Sequence, residues 1–123
     1  MSTPIGRFSL AALDCDDHAA LAEFYSSIVG GEPKSFSADW IELHTSGGII
    51  AFQHIDGYRP PTWPAGDRPQ QAHLDIDVDD LDAAEAAIIE LGAVKTDIQP
   101  TPEKWRVFLD PAGHPFCLVL NPS

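Results

Sequence analysis

HLDIDVDDLDAAEAAIIELGA, residues 73–93, joins a strand directly to an amphipathic helix. Polar and apolar residues alternate in HLDIDV, which is typical of a strand with one buried face. Asp79 is placed to cap the helix, with Asp80 and Asp82 in the first turn near its positive end. Gly92 is expected to end the helix, because glycine readily adopts the left-handed conformation. The predicted buried stripe comprises Leu81, Ala84, Ile88 and Leu91.

Three shorter strands are predicted after this helix, near residues 93–98, 104–109 and 115–120. The segment Asp110-Pro111-Ala112-Gly113 separates the last two strands and has the composition of a tight turn. Residues from about 72 to 121 therefore form a βαβββ unit, called module 2 below.

The first half of the chain repeats this order at a spacing of 64 residues. The matches are Leu10 with Leu74, Asp16 with Asp80, Ala19-Ala20 with Ala83-Ala84, Phe52 with Phe116, and Trp40 with Trp105 after a one-residue slip. A strand over residues 8–14 is predicted to precede a helix that Asp16 or Asp17 caps and Gly30-Gly31 ends. Its predicted buried face comprises Leu21, Phe24, Tyr25 and Ile28. The strands predicted to follow are 33–37, 40–45 and 49–55.

The domain organisation follows from this duplication. Module 1 spans about 7–55, and residues 56–70 form a connector with four prolines and two glycines, which predicts an extended segment. One domain over residues 1–123 is expected from the length. The fold class is α+β, with two tandem βαβββ modules forming a curved, open, barrel-like sheet around a central cleft.

The composition limits the classes of partner. Acidic residues outnumber basic ones by 19 to 7, giving a formal net charge of −12. Phosphate backbones and anionic lipids would repel this charge, so neither a nucleic-acid nor a membrane partner is expected. Cys15 and Cys117 form no CxxC pair and no secretion signal precedes them, which favours reduced thiols and a cytoplasmic location.

Three segments resemble the vicinal oxygen chelate superfamily, which includes glyoxalases, bleomycin-resistance proteins and extradiol dioxygenases. They are HLDIDVDDLDAAEAAIIELGA (residues 73–93), WRVFLDPAGHPFCLVL (residues 105–120) and PPTWP (residues 60–64). The short glyoxalase-like domain proteins of bacteria are the most similar subgroup. The resemblance implies a small-molecule cleft, and it also implies a homodimer, but it specifies no reaction.

The resemblance also implies where metal ligands would lie, because metal-using members place them on the first and last strand of each module. The corresponding places here are Ser9, Gln53, His73 and Cys117. Only His73 is a usual ligand at its place, and serine binds divalent ions poorly. We therefore expect no complete metal site and no cofactor; if a divalent metal binds, His73 would hold it with Gln53 and Cys117.

A rival arrangement uses the spacing of His73-x-Asp75, which puts an imidazole and a carboxylate on one face of a strand. Some non-haem iron sites have such a pair together with a second histidine. His44 or His54 would have to supply that histidine. The alternative is that His73 and Asp75 are simply polar residues on a solvated face.

The candidate cleft residues each have a structural alternative. Trp40 and Trp105 hold equivalent places, and with Trp63 of the connector they are either walls of a ligand cleft or core and dimer contacts. His73 is either a hydrogen-bond partner or acid–base group for a ligand, or a structural histidine. Cys117 has no cation nearby in sequence, which favours an inert buried thiol. The predicted ligand-binding cleft comprises Ser9, Trp40, Gln53, Trp63, His73, Asp75, Trp105 and Cys117.

Three functions remain open at this point. The first is a binding protein that sequesters a small molecule, as bleomycin-resistance proteins do. The second is a lyase, isomerase or dioxygenase of the superfamily with an atypical metal or a metal-free site, in which His73 is the best catalytic candidate. The third is a dimeric interaction module.

Overall fold

The computed structural model describes residues 3–123, and its elements follow the order βαβββ twice. The elements are β1 (Ala11–Cys15), α1 (His18–Val29), β2 (Pro33–Ser37), β3 (Trp40–Thr45), β4 (Gly48–His54), β5 (Leu74–Val78), α2 (Leu81–Glu90), β6 (Val94–Lys95), β7 (Trp105–Leu109) and β8 (Pro115–Leu120). The prediction of an α+β fold with two tandem βαβββ modules is confirmed.

Each module forms its own four-stranded sheet with the same strand order. The order is β1-β4-β3-β2 in module 1 and β5-β8-β7-β6 in module 2. The first strand of each module pairs in parallel with the last, and the remaining neighbours are antiparallel. A helix connects the first two strands of each module, which lie at opposite edges of its sheet.

Strand pairing and helix caps relate equivalent residues of the two modules by spacings that differ from the predicted constant value of 64 residues. The helix caps Asp17 and Asp80 are 63 positions apart, and each accepts a hydrogen bond from the amide three residues later. Trp40 pairs with Gln53 where Trp105 pairs with Val119, so Val119 and not Cys117 is the counterpart of Gln53. The spacing prediction is wrong in this detail, because insertions between the strands accumulate along module 2.

Several element boundaries also differ from the sequence predictions. Asp80, and not Asp79, caps α2, and Leu91 is 41% exposed because it lies beyond the last helical turn. β1 begins at Ala11 rather than at residue 8, and β6 has two residues rather than the six of 93–98. Within residues 3–123, neither helix is long and apolar enough to cross a membrane.

The hydrophobic core joins the two modules. Tyr25 on α1 stacks on Phe52 of its own sheet, with ring centroids 5.8 Å apart, and meets Phe116 of module 2 edge-on at 5.9 Å. Phe24 also contacts Phe116 edge-on. One contiguous cluster of buried residues therefore includes both modules.

Hydrogen bonds join the turn before β8 to module 1 and to the connector. The Tyr25 hydroxyl donates to the buried carboxylate of Asp110 over 2.7 Å, and the Tyr58 hydroxyl donates to the carbonyl of Ala112 over 2.8 Å. Gly113 has φ +86°, and a Cβ there would lie 2.7 Å from Cβ of Pro60. The turn therefore requires glycine both for its conformation and for the close approach of the connector.

The connector is a hydrogen-bonded loop rather than the predicted extended segment. The amide of Thr62 donates to the carbonyl of Arg68 over 2.7 Å, and an isolated bridge joins Thr62 to Pro69. This closure places Trp63 near the tip of the loop, over the sheet of module 2.

Candidate functional site

A cleft of about 420 Å³ lies on the face of the module 2 sheet that points away from the core. We call it the Trp63–Trp105 cleft after its two aromatic walls. Its volume lies within the usual range for small-molecule sites. The lining residues are Trp63, Gln70, His73, Asp75, Trp105, Val107, Pro115, Cys117 and Val119.

Strand alternation explains which module 2 side chains line this cleft. Cys117 pairs with Asp75 on one side and with Val107 on the other, so these three side chains share one face. Phe116 and Leu118, the neighbours of Cys117, point to the opposite face and are fully buried in the core. The cleft therefore has a mostly apolar floor with polar groups along β5.

Three potential metal-ligand or proton-transfer groups lie close together in the cleft. Nε2 of His73 lies 3.1 Å from Oδ1 of Asp75. The donor atoms of His73, Asp75 and Cys117 all lie within 4.8 Å of one another. Burial, and secondarily the charge of Asp75, raises the pKa of the Cys117 thiol to about 11. Burial therefore favours the neutral thiol over the thiolate at Cys117.

Gln70 supplies the other polar group of the cleft. Its Oε1 atom is buried and has no hydrogen-bond partner among the residues that the structure describes. A buried amide oxygen without a donor is costly, because it has lost its hydration. Because Gln70 lines the cleft, this oxygen is a candidate acceptor for an N–H or O–H group of a ligand.

The predicted cleft residues of module 1 lie elsewhere. Ser9 is exposed before β1, and Trp40 and Gln53 pair with each other on the module 1 sheet. The lining of this cleft comes entirely from module 2 and the connector, so Ser9, Trp40 and Gln53 do not line it. Trp63, His73, Asp75, Trp105 and Cys117 do meet in one place.

The metal site implied by the superfamily does not fit this chain. Its module 1 ligands would be Ser9 and Gln53, and neither residue lies in the cleft that contains His73 and Cys117. The register of the repeat makes Leu10 the counterpart of His73, and Ala51 the counterpart of Cys117. Module 1 therefore offers alkyl groups at the positions where module 2 offers an imidazole and a thiol.

Neither histidine considered for a facial triad lies in this cleft. His44 Nε2 lies 2.9 Å from Glu42, whose other oxygen accepts from the Trp40 indole over 2.8 Å. These hydrogen bonds, led by that of Trp40, lower the pKa of Glu42. His54 is held by the carbonyl of Asp16 and by the carboxylate of Asp56. A histidine–histidine–carboxylate triad is therefore not formed within residues 3–123.

Sequence reasoning missed four residues of the cleft. Val107, Pro115 and Val119 could have been found, because they alternate with core residues on β7 and β8. Gln70 could not, because its position depends on how the connector loop closes. No Lys or Arg lines the cleft, since Arg106 beside Trp105 is turned to the acidic residues Asp82 and Glu85 of α2.

The architecture and the cleft define a class of protein. Two βαβββ modules with parallel first and last strands, and a ligand-sized cleft on an open sheet, are those of the vicinal oxygen chelate superfamily. The chain belongs to the glyoxalase-like domain family, whose sequence model matches residues 11–119. No curated protein matches the chain.

Solved structures with the same fold include a glyoxalase/bleomycin resistance protein/dioxygenase family enzyme from Burkholderia phytofirmans. It is 22% identical with a TM-score of 0.68, over 89% of this chain and 94% of that one. The fosfomycin resistance protein FosX from Mesorhizobium loti is 15% identical with a TM-score of 0.70, over 96% and 94%. FosX from Listeria monocytogenes is 19% identical with a TM-score of 0.69, over 94% and 91%. At these identities the likeness establishes the fold alone.

Proposed function

We propose that this protein binds a planar, neutral or cationic small molecule in the Trp63–Trp105 cleft, without the superfamily's complete metal site. The observation that carries the proposal is the cleft itself, which two tryptophans and three further apolar residues line. Aromatic walls with a few polar groups are typical of sites for flat ligands. The unpartnered Gln70 oxygen supports a ligand that carries a hydrogen-bond donor.

The charge of the cleft supports a neutral or cationic ligand over an anion. Asp75 is exposed within it, the chain carries a formal net charge of −12, and no basic side chain lines the cleft. An anion would be repelled on approach and would find no arginine or lysine to bind. Fosfomycin, a phosphonate named in two of the structural relatives, is therefore a suitable negative comparison.

Thermal-shift measurements in buffer with a metal chelator test this function. Planar heteroaromatic amines and bleomycin serve as probes, and fosfomycin serves as the anionic comparison. A ligand at 100 times its Kd stabilises the folded state by about 2.7 kcal/mol, so a genuine ligand raises the melting temperature measurably. Trp105→Ala is expected to weaken binding about tenfold, because a stacked aromatic wall contributes roughly 1 kcal/mol or more.

Trp40→Ala is the matched control, because Trp40 holds the equivalent place in module 1 but does not line the cleft. It is expected to leave binding unchanged. If no probe stabilises the protein, or if Trp40→Ala and Trp105→Ala weaken binding equally, the proposed function is wrong.

We also infer that two copies associate, which keeps a dimeric interaction module as the second candidate function. Phe8 is 87% exposed at the rim of a groove that Ala11, Ile28, Ile50 and Ile76 also line. β1 and β5 are both edge strands bordering this groove, and unpaired edges favour pairing with another chain. A second copy would cover this apolar surface.

Light scattering after size exclusion tests the association. A mass of twice the 13.3 kDa chain is expected, and Phe8→Ser is expected to shift the protein toward the monomer. Phe36→Ser is the control, because Phe36 is 63% exposed on β2, away from the groove. A monomer at all concentrations would contradict the inference.

Two further expectations accompany the proposed function. A cytoplasmic location is supported by the two cysteines, both of which are free and buried.

An atypical superfamily enzyme remains the alternative, and His73 would be its acid–base group, because it is the imidazole of the cleft. Turnover of a bound ligand that His73→Gln abolishes, with binding retained, would favour the enzyme.

A further inference from the structure

His73, Asp75 and Cys117 are arranged as a set of metal donors that lies wholly within module 2. Their ligand atoms lie within 4.8 Å of one another, and the His73 and Asp75 donors are 3.1 Å apart. Donors around a tetrahedral zinc ion are roughly 3.3–3.8 Å apart, given the usual bond lengths. Small side-chain rotations would therefore bring the three atoms to zinc-binding distances. No other set of three such donors comes together within residues 3–123.

The repeat provides an internal comparison for this donor set. Asp75 pairs with Cys117 on the first and last strands of module 2, and the equivalent pair in module 1 is Ala12 with Ala51. Leu10 stands in the place of His73. The βαβββ module therefore folds with three apolar residues at these positions, so the fold itself does not require an imidazole, a carboxylate and a thiol there.

The chemistry of the donors indicates the kind of ion. A thiolate, an imidazole and a carboxylate suit zinc and its substitute cobalt, whereas magnesium and calcium prefer sites made of oxygen alone. Three protein ligands leave the fourth tetrahedral position open. His73 and Asp75 are exposed on the cleft side, so that open position would face the space between the two tryptophans.

We propose that His73, Asp75 and Cys117 bind one Zn²⁺ or Co²⁺ ion per chain, with the fourth position open to the Trp63–Trp105 cleft. This set differs from the four-residue set that the resemblance implied, since all three ligands come from one module and Asp75 replaces Gln53. The proposal goes beyond the binding of an organic ligand and does not depend on it. An ion there would add a Lewis-acidic contact for a ligand oxygen.

Cobalt titration of tag-free, chelator-treated protein tests the site, because a cobalt–thiolate bond gives a charge-transfer band in the near ultraviolet. We expect the band to saturate at one Co²⁺ per chain and to disappear when Zn²⁺ is added. Cys117→Ser is expected to abolish the band. Asp75→Asn and His73→Gln are expected to weaken affinity by about 100-fold, at least the loss seen when supporting residues are removed from metal sites.

Two control variants test whether the band depends on this donor set. One changes a neighbouring carboxylate and the other changes the second cysteine of the chain. Asp77→Asn changes the next carboxylate on the same face of β5, which does not belong to the donor set, and should leave the titration unchanged. Cys15→Ser removes the buried cysteine of module 1 and should retain the band. Unsaturable binding, a band that survives Cys117→Ser, or equal losses in Asp75→Asn and Asp77→Asn would overturn the proposal. None of these results would affect ligand binding measured with a chelator present.

Discussion

Asp110 is buried to 3% exposure in the turn before β8, and its carboxylate accepts hydrogen bonds from three donors. The Tyr25 hydroxyl donates over 2.7 Å, and the amides of Ala112 and His114 donate over 2.9 Å each. Burial raises the pKa of Asp110, while the hydrogen bond from Tyr25 lowers it. Tyr25 therefore compensates part of the cost of burying this carboxylate, and it also connects α1 to module 2.

Tyr25→Phe should destabilise the protein by about 2 kcal/mol at neutral pH, because it leaves a buried ionised carboxylate with one donor fewer. The pKa of Asp110 should rise further in this variant, so the loss should shrink as the pH falls and the carboxyl group becomes protonated. Urea unfolding at neutral and acidic pH measures both effects. Tyr58→Phe is the control, since the Tyr58 hydroxyl donates to a neutral carbonyl; equal losses in the two variants would contradict the argument.

The sequence predicts the bounds of strands and helices correctly where the residues at a boundary favour a single conformation. β8 occupies 115–120 as predicted, because a continuous apolar run lies there between the Asp110–Gly113 turn and Asn121-Pro122. Asp79 and Asp80 could not be distinguished as caps in this way, because both are acidic and adjacent. The structure shows that the amide of Ala83 bonds to Asp80.

The sequence did not reveal which residues of module 1 and module 2 occupy equivalent positions on their strands. A constant spacing equated Gln53 with Cys117, whereas the strand pairing equates Gln53 with Val119. A shift of two residues keeps the same sheet face, so the alternation pattern is satisfied by either alignment. The cleft itself also depends on the connector, whose closure over module 2 is a tertiary event without a local sequence signal.

For the whole molecule, the shared core implies that the two modules are not independent folding units. Phe24 and Tyr25 of α1 contact Phe116 of β8, and the buried cluster runs through both sheets. Removing one module would expose the apolar face of the other, at a cost of about 25 cal/mol for each Å² of apolar surface. We therefore expect the two modules to fold as one unit, although only module 2 contains the His73, Asp75 and Cys117 side chains.

Equilibrium unfolding should accordingly show a single transition for both modules, as expected for a small domain with one core. Trp40 lies in module 1 and Trp105 in module 2, so variants in which Trp63 and one of these two tryptophans are replaced give module-specific fluorescence. Their denaturant midpoints should coincide with the midpoint from far-ultraviolet circular dichroism. Two separated midpoints would show that the modules unfold independently.

Phe24→Leu extends this prediction, because Phe24 lies on module 1 but packs edge-on against Phe116 of module 2. Losing that contact should destabilise the whole molecule by about 1 to 1.5 kcal/mol, and the midpoints reported by Trp40 and Trp105 should fall together. Phe36→Leu is the matched control, since Phe36 is 63% exposed and its replacement should change the free energy of unfolding by no more than about 0.5 kcal/mol, leaving both midpoints close to those of the parent. A fall in the Trp40 midpoint alone would mean that the contact between α1 and β8 does not couple the modules.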